Sequence, residues 1–315
     1  MKILITGASG YLGGRVSEHF ANRNDIEVRI VSRKSPSFFN SKKIEERIVD
    51  WDNPIHLESV CDGVDSIIHL SGMNAQDSAL NPLGSYKSNL LNTGYLLEAA
   101  FKKNVRKFIY FSTAHVYSSP LIGEITENSP VNNIHPYAAS HKAAEDLVRY
   151  NSSLRKIDGY VVRLSNAYGP PLSSDANCWT LLVNDLCKQA VVQRKLILKS
   201  NGIQKRDFIS ISDVIRALDL LLAEQSEPSA QKFFNLGGDW SLSVLEMAQL
   251  IQARVLAVLN YDVSLEKAKL PIQAQDSGPL HFNIDKIKSY GFEISENRTE
   301  EIDRLLLFCK NNFSN

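Results

Sequence analysis

The nine residues Thr6-Gly7-Ala8-Ser9-Gly10-Tyr11-Leu12-Gly13-Gly14 carry glycines at the spacing Gly-x-x-Gly-x-x-Gly. They lie between an apolar run, Lys2-Ile3-Leu4-Ile5, and a segment of helical character, Arg15–Asn22. Without β-carbons, such a strand-to-helix turn lets backbone amides approach an anion and lets the helix pack closely on the strand. The chemistry this suits is pyrophosphate binding, with Gly7, Ser9, Gly10, Tyr11, Leu12 and Gly13 as candidate contacts; a plain strand–turn–helix connection uses glycines too. Inside a βαβ-like unit the spacing reads as a dinucleotide fingerprint. The end of the second strand, Val31-Ser32-Arg33-Lys34-Ser35, speaks to which dinucleotide. An acid there suits a ribose 2′-hydroxyl, whereas a 2′-phosphate needs cations and small donors. No acid is present, and Arg33 with Ser32 suits the phosphate, so NADP is expected ahead of NAD. A solvated basic turn is the alternative use of these residues.

The elements that must position these residues alternate in type. Strands are expected over Glu27–Val31, Arg47–Val49, Asp65–Leu70 and Lys107–Phe111, with a helix over Ser85–Lys103 whose Leu90, Leu91, Leu97 and Ala100 face a sheet. Pro136 opens a helix to about Ser153, because proline is tolerated in a first turn, and Tyr160–Leu164 returns to strand. This is the pattern of an α/β, doubly wound parallel sheet of Rossmann type, which binds ligands at the carboxyl ends of its strands. The polar residues collect at those ends: Ser32-Arg33, Asp50-Trp51, Leu70-Ser71-Gly72, Ser112-Thr113 and the residues around Leu164. Beyond Leu164 the alternation becomes irregular. Asn166–Asn177 reads as loop, with helices at Trp179–Gln193, Asp213–Ala223, Ser243–Ala253 and Thr299–Cys309 and short strands near Leu196–Leu198 and Phe233–Leu236. We expect a dinucleotide-binding domain over 1–165 and a smaller C-terminal α/β substrate lobe over 166–315, with about 203–240 returning to the first domain.

Composition excludes several classes of function. Of the 315 residues, 35 are Lys or Arg and 35 Asp or Glu, so no long-range field favours nucleic acid or an anionic membrane, and any anionic ligand must be held by local cations. The four cysteines lack a Cys-x-x-Cys pair, which argues against a zinc site or disulfide framework and for a reducing compartment. Nothing supports metal binding by the seven histidines. No signal peptide or membrane span is read, and the expected location is the cytoplasm.

Further segments carry a family resemblance. Phe111-Ser112-Thr113-Ala114-His115-Val116-Tyr117 is similar to the hydroxyl-bearing strand end of the extended short-chain dehydrogenases/reductases, the nucleotide-sugar epimerase, dehydratase and reductase group. Pro136-Tyr137-Ala138-Ala139-Ser140-His141-Lys142-Ala143-Ala144-Glu145 resembles their catalytic helix. Arg163-Leu164-Ser165-Asn166-Ala167-Tyr168-Gly169-Pro170, then Arg206-Asp207-Phe208-Ile209 with Ser212-Asp213-Val214, resemble their substrate-side motifs. Asp65–Leu70 and Asn235-Leu236-Gly237 fit as well, so the resemblance runs from Met1 to about Gly237 and more weakly through Asp285–Phe292.

The resemblance implies Tyr137 as acid/base and Thr113 as the hydroxyl that orients the reacting carbinol or carbonyl. It implies Ser112, Asn166 and Arg206 on the substrate, a nucleotide-diphosphate sugar, and Tyr86 and Asn89 beside the cofactor. It also implies Asp50 at the adenine amine, unless Asp50 simply belongs to a surface turn with Asp52. A homodimer is expected. Two departures stand out. The family lysine four residues after the tyrosine is His141 here, and Lys142 follows one position late. On a helix, position i+4 lies about 40° from Tyr137 and i+5 about 140°, so His141 is the expected partner of Tyr137 and of the nicotinamide ribose. Before Asp285, Gln275-Asp276-Ser277-Gly278 replaces the family's frequent Arg-Pro-Gly-Asp. Asn177, Cys178 and Trp179 are candidates for the sugar pocket.

Family dehydratases usually carry an acid pair directly after the catalytic threonine. Ala114 and His115 stand there, which disfavours dehydration and leaves 4-epimerisation or 4-ketosugar reduction. The alternative from a different class is a catalytically weak dinucleotide-binding sensor or scaffold. His141 and Gln275 motivate it; Thr113, Tyr137 and Arg206 oppose it.

Overall fold

The computed structural model describes residues 1–32, 43–267 and 278–314. The chain forms two compact units, one of Met1–Ser118, Ser129–Leu164 and Leu218–Asn235, the other of Ser119–Asn128, Ser165–Ala217 and Leu236–Asn315.

The first unit is built on a seven-stranded sheet. Its strands include β1 (Lys2–Thr6), β2 (Glu27–Ser32), β3 (Ile44–Ile48), β4 (Ser66–His69) and β5 (Lys107–Thr113). The order across the sheet is Phe233–Leu236, Asp158–Leu164, β5, β4, β1, β2, β3. β1 runs parallel to β2 and β4, β2 to β3, β4 to β5, and β5 to Asp158–Leu164. The chain steps outward from β1 to β3 and then crosses to β4 on the other side of β1. That reversal is a topological switch point, where doubly wound sheets open a crevice for ligands. The central strands are buried along their whole length, as a parallel sheet covered on both faces requires. Leu4, Ile67, Phe108 and Val161 share one core with Leu96, Leu97, Ala144 and Val148 from the covering helices.

The helix expected over Ser85–Lys103 is three pieces: α-helix Pro82–Ser85, π-helix Tyr86–Leu91 and α-helix Asn92–Lys102. Leu97 and Ala100 face the core as expected, but Leu91 is exposed. Ser85, Asn89 and Thr93, four residues apart across the three pieces, are all buried. π turns concentrate at functional sites.

At the β3 edge, Glu45 ties three strands together. Its carboxylate meets Lys2 Nζ at 3.0 Å, Arg29 Nε at 3.0 Å and Arg47 at 2.7 Å. Burial raises this carboxyl, but the hydrogen bonds from Arg29, Lys2 and Arg47 outweigh it and hold the value at about 2, below an ordinary 4.5. A depressed acid stabilises the fold above its unfolded pKa, and that contribution is lost as pH falls through the folded value. Glu45→Gln is therefore expected to lower the urea midpoint at pH 6, with the difference from the parent closing between pH 4.5 and 2. A pH-independent difference would remove the charge from the explanation.

The second unit holds a three-stranded sheet, Ser241–Ser243, Lys205–Ser210 and Asn166–Tyr168 in that order. Helices Leu182–Val192, Val244–Leu259 and Glu300–Phe313 share its core through Leu186, Met247, Ile251 and Leu305. Asn166–Tyr168, read from sequence as loop, is strand because Asn166 and Tyr168 pair with Phe208 and Ser210. Val244–Leu259 outruns the expected Ser243–Ala253; a capping box of Ser243 and Glu246 opens it, and Asn260, in the left-handed region at φ 60°, closes it. The cysteines are free and buried. Among the described residues no helix is long and apolar enough to cross a membrane, and no group of three or more His, Cys, Asp or Glu could hold a metal.

Candidate active site

The glycine turn closes on β4. Gly7 has φ +71°, and a β-carbon there would lie 2.8 Å from the Leu70 carbonyl carbon. On Gly13 it would lie 2.1 Å from the Gly7 oxygen, so only glycine lets α1 (Tyr11–Ala21) start this close to β1. The Gly10 amide donates to Gly7 O at 2.8 Å. Gly10 is the N-cap of α1 and supplies no side-chain cap, and Ser9 and Gly10 are exposed. A helix N-terminus with no side-chain cap, reached through glycines, suits an anion, which fits a dinucleotide pyrophosphate. Tyr11 and Leu12 are half-buried beside them.

Around this turn, the other expected contacts fall at strand ends. Ser32 ends β2; Arg33 lies outside the described residues. Asp50 is exposed and its Oδ1 accepts from the Asp52 amide at 3.1 Å, while Trp51 packs on the core. Leu70, Ser71 and Gly72 follow β4, and Leu164 pairs with Thr113 at the end of its strand.

A directional hydrogen-bond chain runs behind them. Thr6 Oγ1 accepts from the amides of Leu70 and Ser71, each at 3.1 Å. Its proton therefore goes to His69 Nδ1 at 2.7 Å. His69 Nε2 then donates to Thr93 Oγ1 at 3.0 Å, and Thr93 donates to Asn89 O at 2.7 Å. Burial, with a smaller push from His141, lowers His69 to about 3, which matches the neutral ring the chain needs. Asn89 carries the connection onward: Oδ1 accepts from the Met73 amide at 2.6 Å, and Nδ2 donates to Ser140 Oγ at 3.0 Å on the helix Pro136–Ser153. Asn89 thus braces the loop after β4 against that helix, and its amide is spent doing so.

Helix Pro136–Ser153 presents Tyr137 and His141 on one face. Their rings meet edge to face, with centroids 4.7 Å apart. The space beside Gly72 ends on His141 Cε1, 3.8 Å from where a β-carbon would sit, so this face adjoins the loop after β4. Lys142 turns away and donates to Asp146 at 2.5 and 2.6 Å. Desolvation raises the Tyr137 phenol, and a hydrogen bond with Thr113 opposes it. Thr113 Oγ1 also accepts from the His115 amide at 3.2 Å. His115 is exposed, its ring 6.5 Å from that of Tyr137. Burial lowers His141 to about 3, so the residue at the lysine position is uncharged.

The same helix is pinned to β5 by Glu145, fully buried, which pairs with buried Arg163 at 2.7 Å. Ser112 donates to Glu145 Oε1 at 2.5 Å, so the Ser112 proton is committed within the core. Arg163 also donates to Tyr117 Oη at 2.8 Å, and Tyr117 donates to Asn235 Oδ1 at 2.6 Å.

In the second unit Asn166 Nδ2 donates to Asp207 O at 2.9 Å. Buried Asp207 accepts the amides of Gly238 and Trp240, each at 2.9 Å, and so folds the Gly237-Gly238 turn. Arg206, half-buried, donates to Gln204 Oε1 at 3.3 Å and has no carboxylate partner among the described residues; burial lowers its guanidinium. Such a guanidinium is a ready partner for an anion. Cys178 is fully buried, with its thiol pushed up by burial to about 12, and Trp179 Nε1 donates to Ser174 O at 2.9 Å, so both serve the core of this unit.

Sequence reasoning overlooked Thr6, His69, Thr93, Ser85, Ser140 and Tyr110 as parts of the site. The available signal was a polar residue at the end of an apolar strand, as in Thr6 of β1 and His69 of β4.

Comparison with known proteins identifies the family of the chain. The profile of the NAD dependent epimerase/dehydratase family matches residues 3–237. The chain is 25% identical over 330 residues to dTDP-D-glucose 4,6-dehydratase of Mus musculus, covering 100% of this chain and 90% of that protein. The fold is similar to that of UDP-glucuronic acid 4-epimerase from Bacillus cereus in complex with UDP-glucuronic acid and NAD. That match has a TM-score of 0.81 and 21% identity over 99% of both chains. It is similar as well to epimerase Mth375 from Methanothermobacter thermautotrophicus, with a TM-score of 0.84, 22% identity, and coverage of 99% of this chain and 92% of that one. The match spans most of the chain and includes the glycine turn, the Thr113–Tyr137 pair and Arg206: this protein belongs to the NAD dependent epimerase/dehydratase family.

Proposed function

We propose that this protein is an NAD-dependent 4-epimerase of nucleotide-diphosphate sugars. The observation that carries the reading is the Thr113–Tyr137 pair at the carboxyl end of β5, on the helix face that adjoins the loop after β4. Gly7, Gly10 and Gly13 would hold the pyrophosphate, Ser32, Asp50 and Trp51 the adenosine end, and His141 the nicotinamide ribose. When bound, NAD supplies a place for hydride to leave the sugar carbon and return to it. Tyr137 takes the proton of the 4-hydroxyl as the carbinol is oxidised and returns it to the oxygen when the opposite face of the 4-ketosugar is reduced, so protons and electrons balance over the cycle. Thr113 orients the reacting oxygen, and its hydrogen bond eases formation of the phenolate.

Dehydration stays the disfavoured reaction, despite the mouse relative's name, because Ala114 and His115 offer no carboxylate. NAD is taken as the dinucleotide on the strength of the family and the B. cereus complex, in place of the NADP expected from Arg33. Calorimetry with both dinucleotides is expected to find NAD bound at least as tightly, with Arg33→Ala leaving its affinity unchanged. Tighter NADP binding that Arg33→Ala abolishes would restore the sequence expectation. A homodimer is proposed on the family resemblance alone.

Arg206 and Asn166 are assigned to the substrate, Arg206 to its diphosphate. Losing charge-assisted hydrogen bonds worth about 1.5–3 kcal/mol, Arg206→Ala is expected to raise KM for the nucleotide sugar about 10–100-fold. Dinucleotide affinity should stay as in the parent. Unchanged substrate kinetics would take Arg206 out of the site.

A further inference from the structure

Tyr110 lies on β5, three residues before Thr113, and points its hydroxyl at the helix residue that replaces lysine. Tyr110 Oη is 2.6 Å from His141 Nδ1, and the side chains are 1% and 7% exposed. Among the described residues this is the one hydrogen bond of the Tyr110 hydroxyl. Titratable groups face the pair from β4 and from the helix. β4 contributes His69, its ring 5.8 Å from Tyr110, whose nitrogens are both engaged with Thr6 and Thr93. The helix contributes Tyr137 one turn before His141 and Glu145 one turn after it, the latter spent on Arg163 and Ser112.

A phenol has one proton to give. If His141 carried a proton on Nδ1, as imidazolium or as the other neutral tautomer, Tyr110 would have to accept, and its own proton would be left without an acceptor in a dry interior. Burying an unmatched polar group in this way is costly. With Nδ1 bare, every group is satisfied: Tyr110 donates to Nδ1, and the ring proton sits on Nε2. We propose that Tyr110 is a positioning residue that fixes His141 as the neutral Nε2–H tautomer, presenting one uncharged donor to the nicotinamide ribose. Two directions agree with it: burial and the nearby Glu145 carboxylate keep the Tyr110 phenol protonated, and burial keeps the imidazole neutral. The consequence is that Tyr137 forms its phenolate without a neighbouring charge and relies on Thr113. The inference rests on the assignment of His141 to the dinucleotide side of the helix.

The test is nitrogen-15 NMR of the imidazole side chains of the full chain, free and with NAD, from pH 5 to 8. His141 signals are identified by their loss in His141→Gln. The expected spectrum has a protonated Nε2 and a bare Nδ1 across the range. Tyr110→Phe is expected to yield mixed tautomers or a titration that enters this range, and to weaken NAD about fivefold to tenfold. In a His141→Lys background the same substitution should change NAD affinity less, since the lock has no imidazole to hold. A parent spectrum with Nδ1–H or imidazolium overturns the proposal, as does a Tyr110→Phe spectrum that keeps pure Nε2–H. Should Tyr110→Phe not fold, the parent spectrum decides. No turnover is needed for this readout, so a failure to convert nucleotide sugars would count against the epimerase reading and not against the tautomer.

Discussion

Tyr137→Phe is expected to lower turnover of a nucleotide sugar by about 10²–10⁴-fold, the range for loss of a general acid/base, while NAD binding persists. The substitution keeps the ring and its edge-to-face contact with His141 and removes only the hydroxyl that hydrogen-bonds with Thr113. The loss should therefore fall on kcat more than on KM, because the proton is moved in the transition state rather than in substrate binding. Steady-state kinetics with calorimetry separates the two. A variant that keeps more than a tenth of parental kcat would disqualify Tyr137 as the proton carrier.

Glu145→Ala is expected to destabilise the first unit by about 3–5 kcal/mol, the cost of leaving one half of a buried ion pair uncompensated. Glu145 and Arg163 are 0% and 2% exposed, joined at 2.7 Å, and the substitution also strips the acceptor from Ser112. Replacing both charges, as in Glu145→Met with Arg163→Met, should recover much of the loss, since the penalty comes from the orphaned charge more than from any net gain of the pair. Urea unfolding of the parent and the two variants checks this. A cost below about 1 kcal/mol for the single variant would mean that water reaches Arg163 and the pair is not the clamp between helix and strand.

The parts of the fold visible in the sequence are those with a local cause. The apolar runs of β1, β4 and β5, the glycine spacing and Pro136 each act through neighbouring residues, and the sheet and the long helix follow from them. The helix register did too: the angular argument for His141 over Lys142 needs nothing beyond 3.6 residues per turn, and Lys142 is found paired with Asp146. Less visible was anything set by distant partners. Asn166–Tyr168 is strand because Lys205–Ser210 lies beside it. The chain from Thr6 to His69 to Thr93 joins residues that single-sequence spacing cannot place together. Ser112 looked like a ligand contact from its position at a strand end, and tertiary packing gave its hydroxyl to Glu145.

Tyr137 is proposed to serve hydride and proton exchange at a sugar carbinol with no net use of the dinucleotide, and this role is the centre of the proposed function. It is tested most directly by incubating the full chain with catalytic NAD and, one at a time, UDP- and dTDP-linked hexoses and UDP-linked hexuronic acids, and identifying the products by proton NMR. At least one nucleotide sugar is expected to be converted to its 4-epimer, with the dinucleotide recovered oxidised and the conversion abolished by Tyr137→Phe. Accumulation of a 4-keto-6-deoxy sugar, stoichiometric consumption of reduced cofactor, or conversion undiminished in Tyr137→Phe would contradict this role.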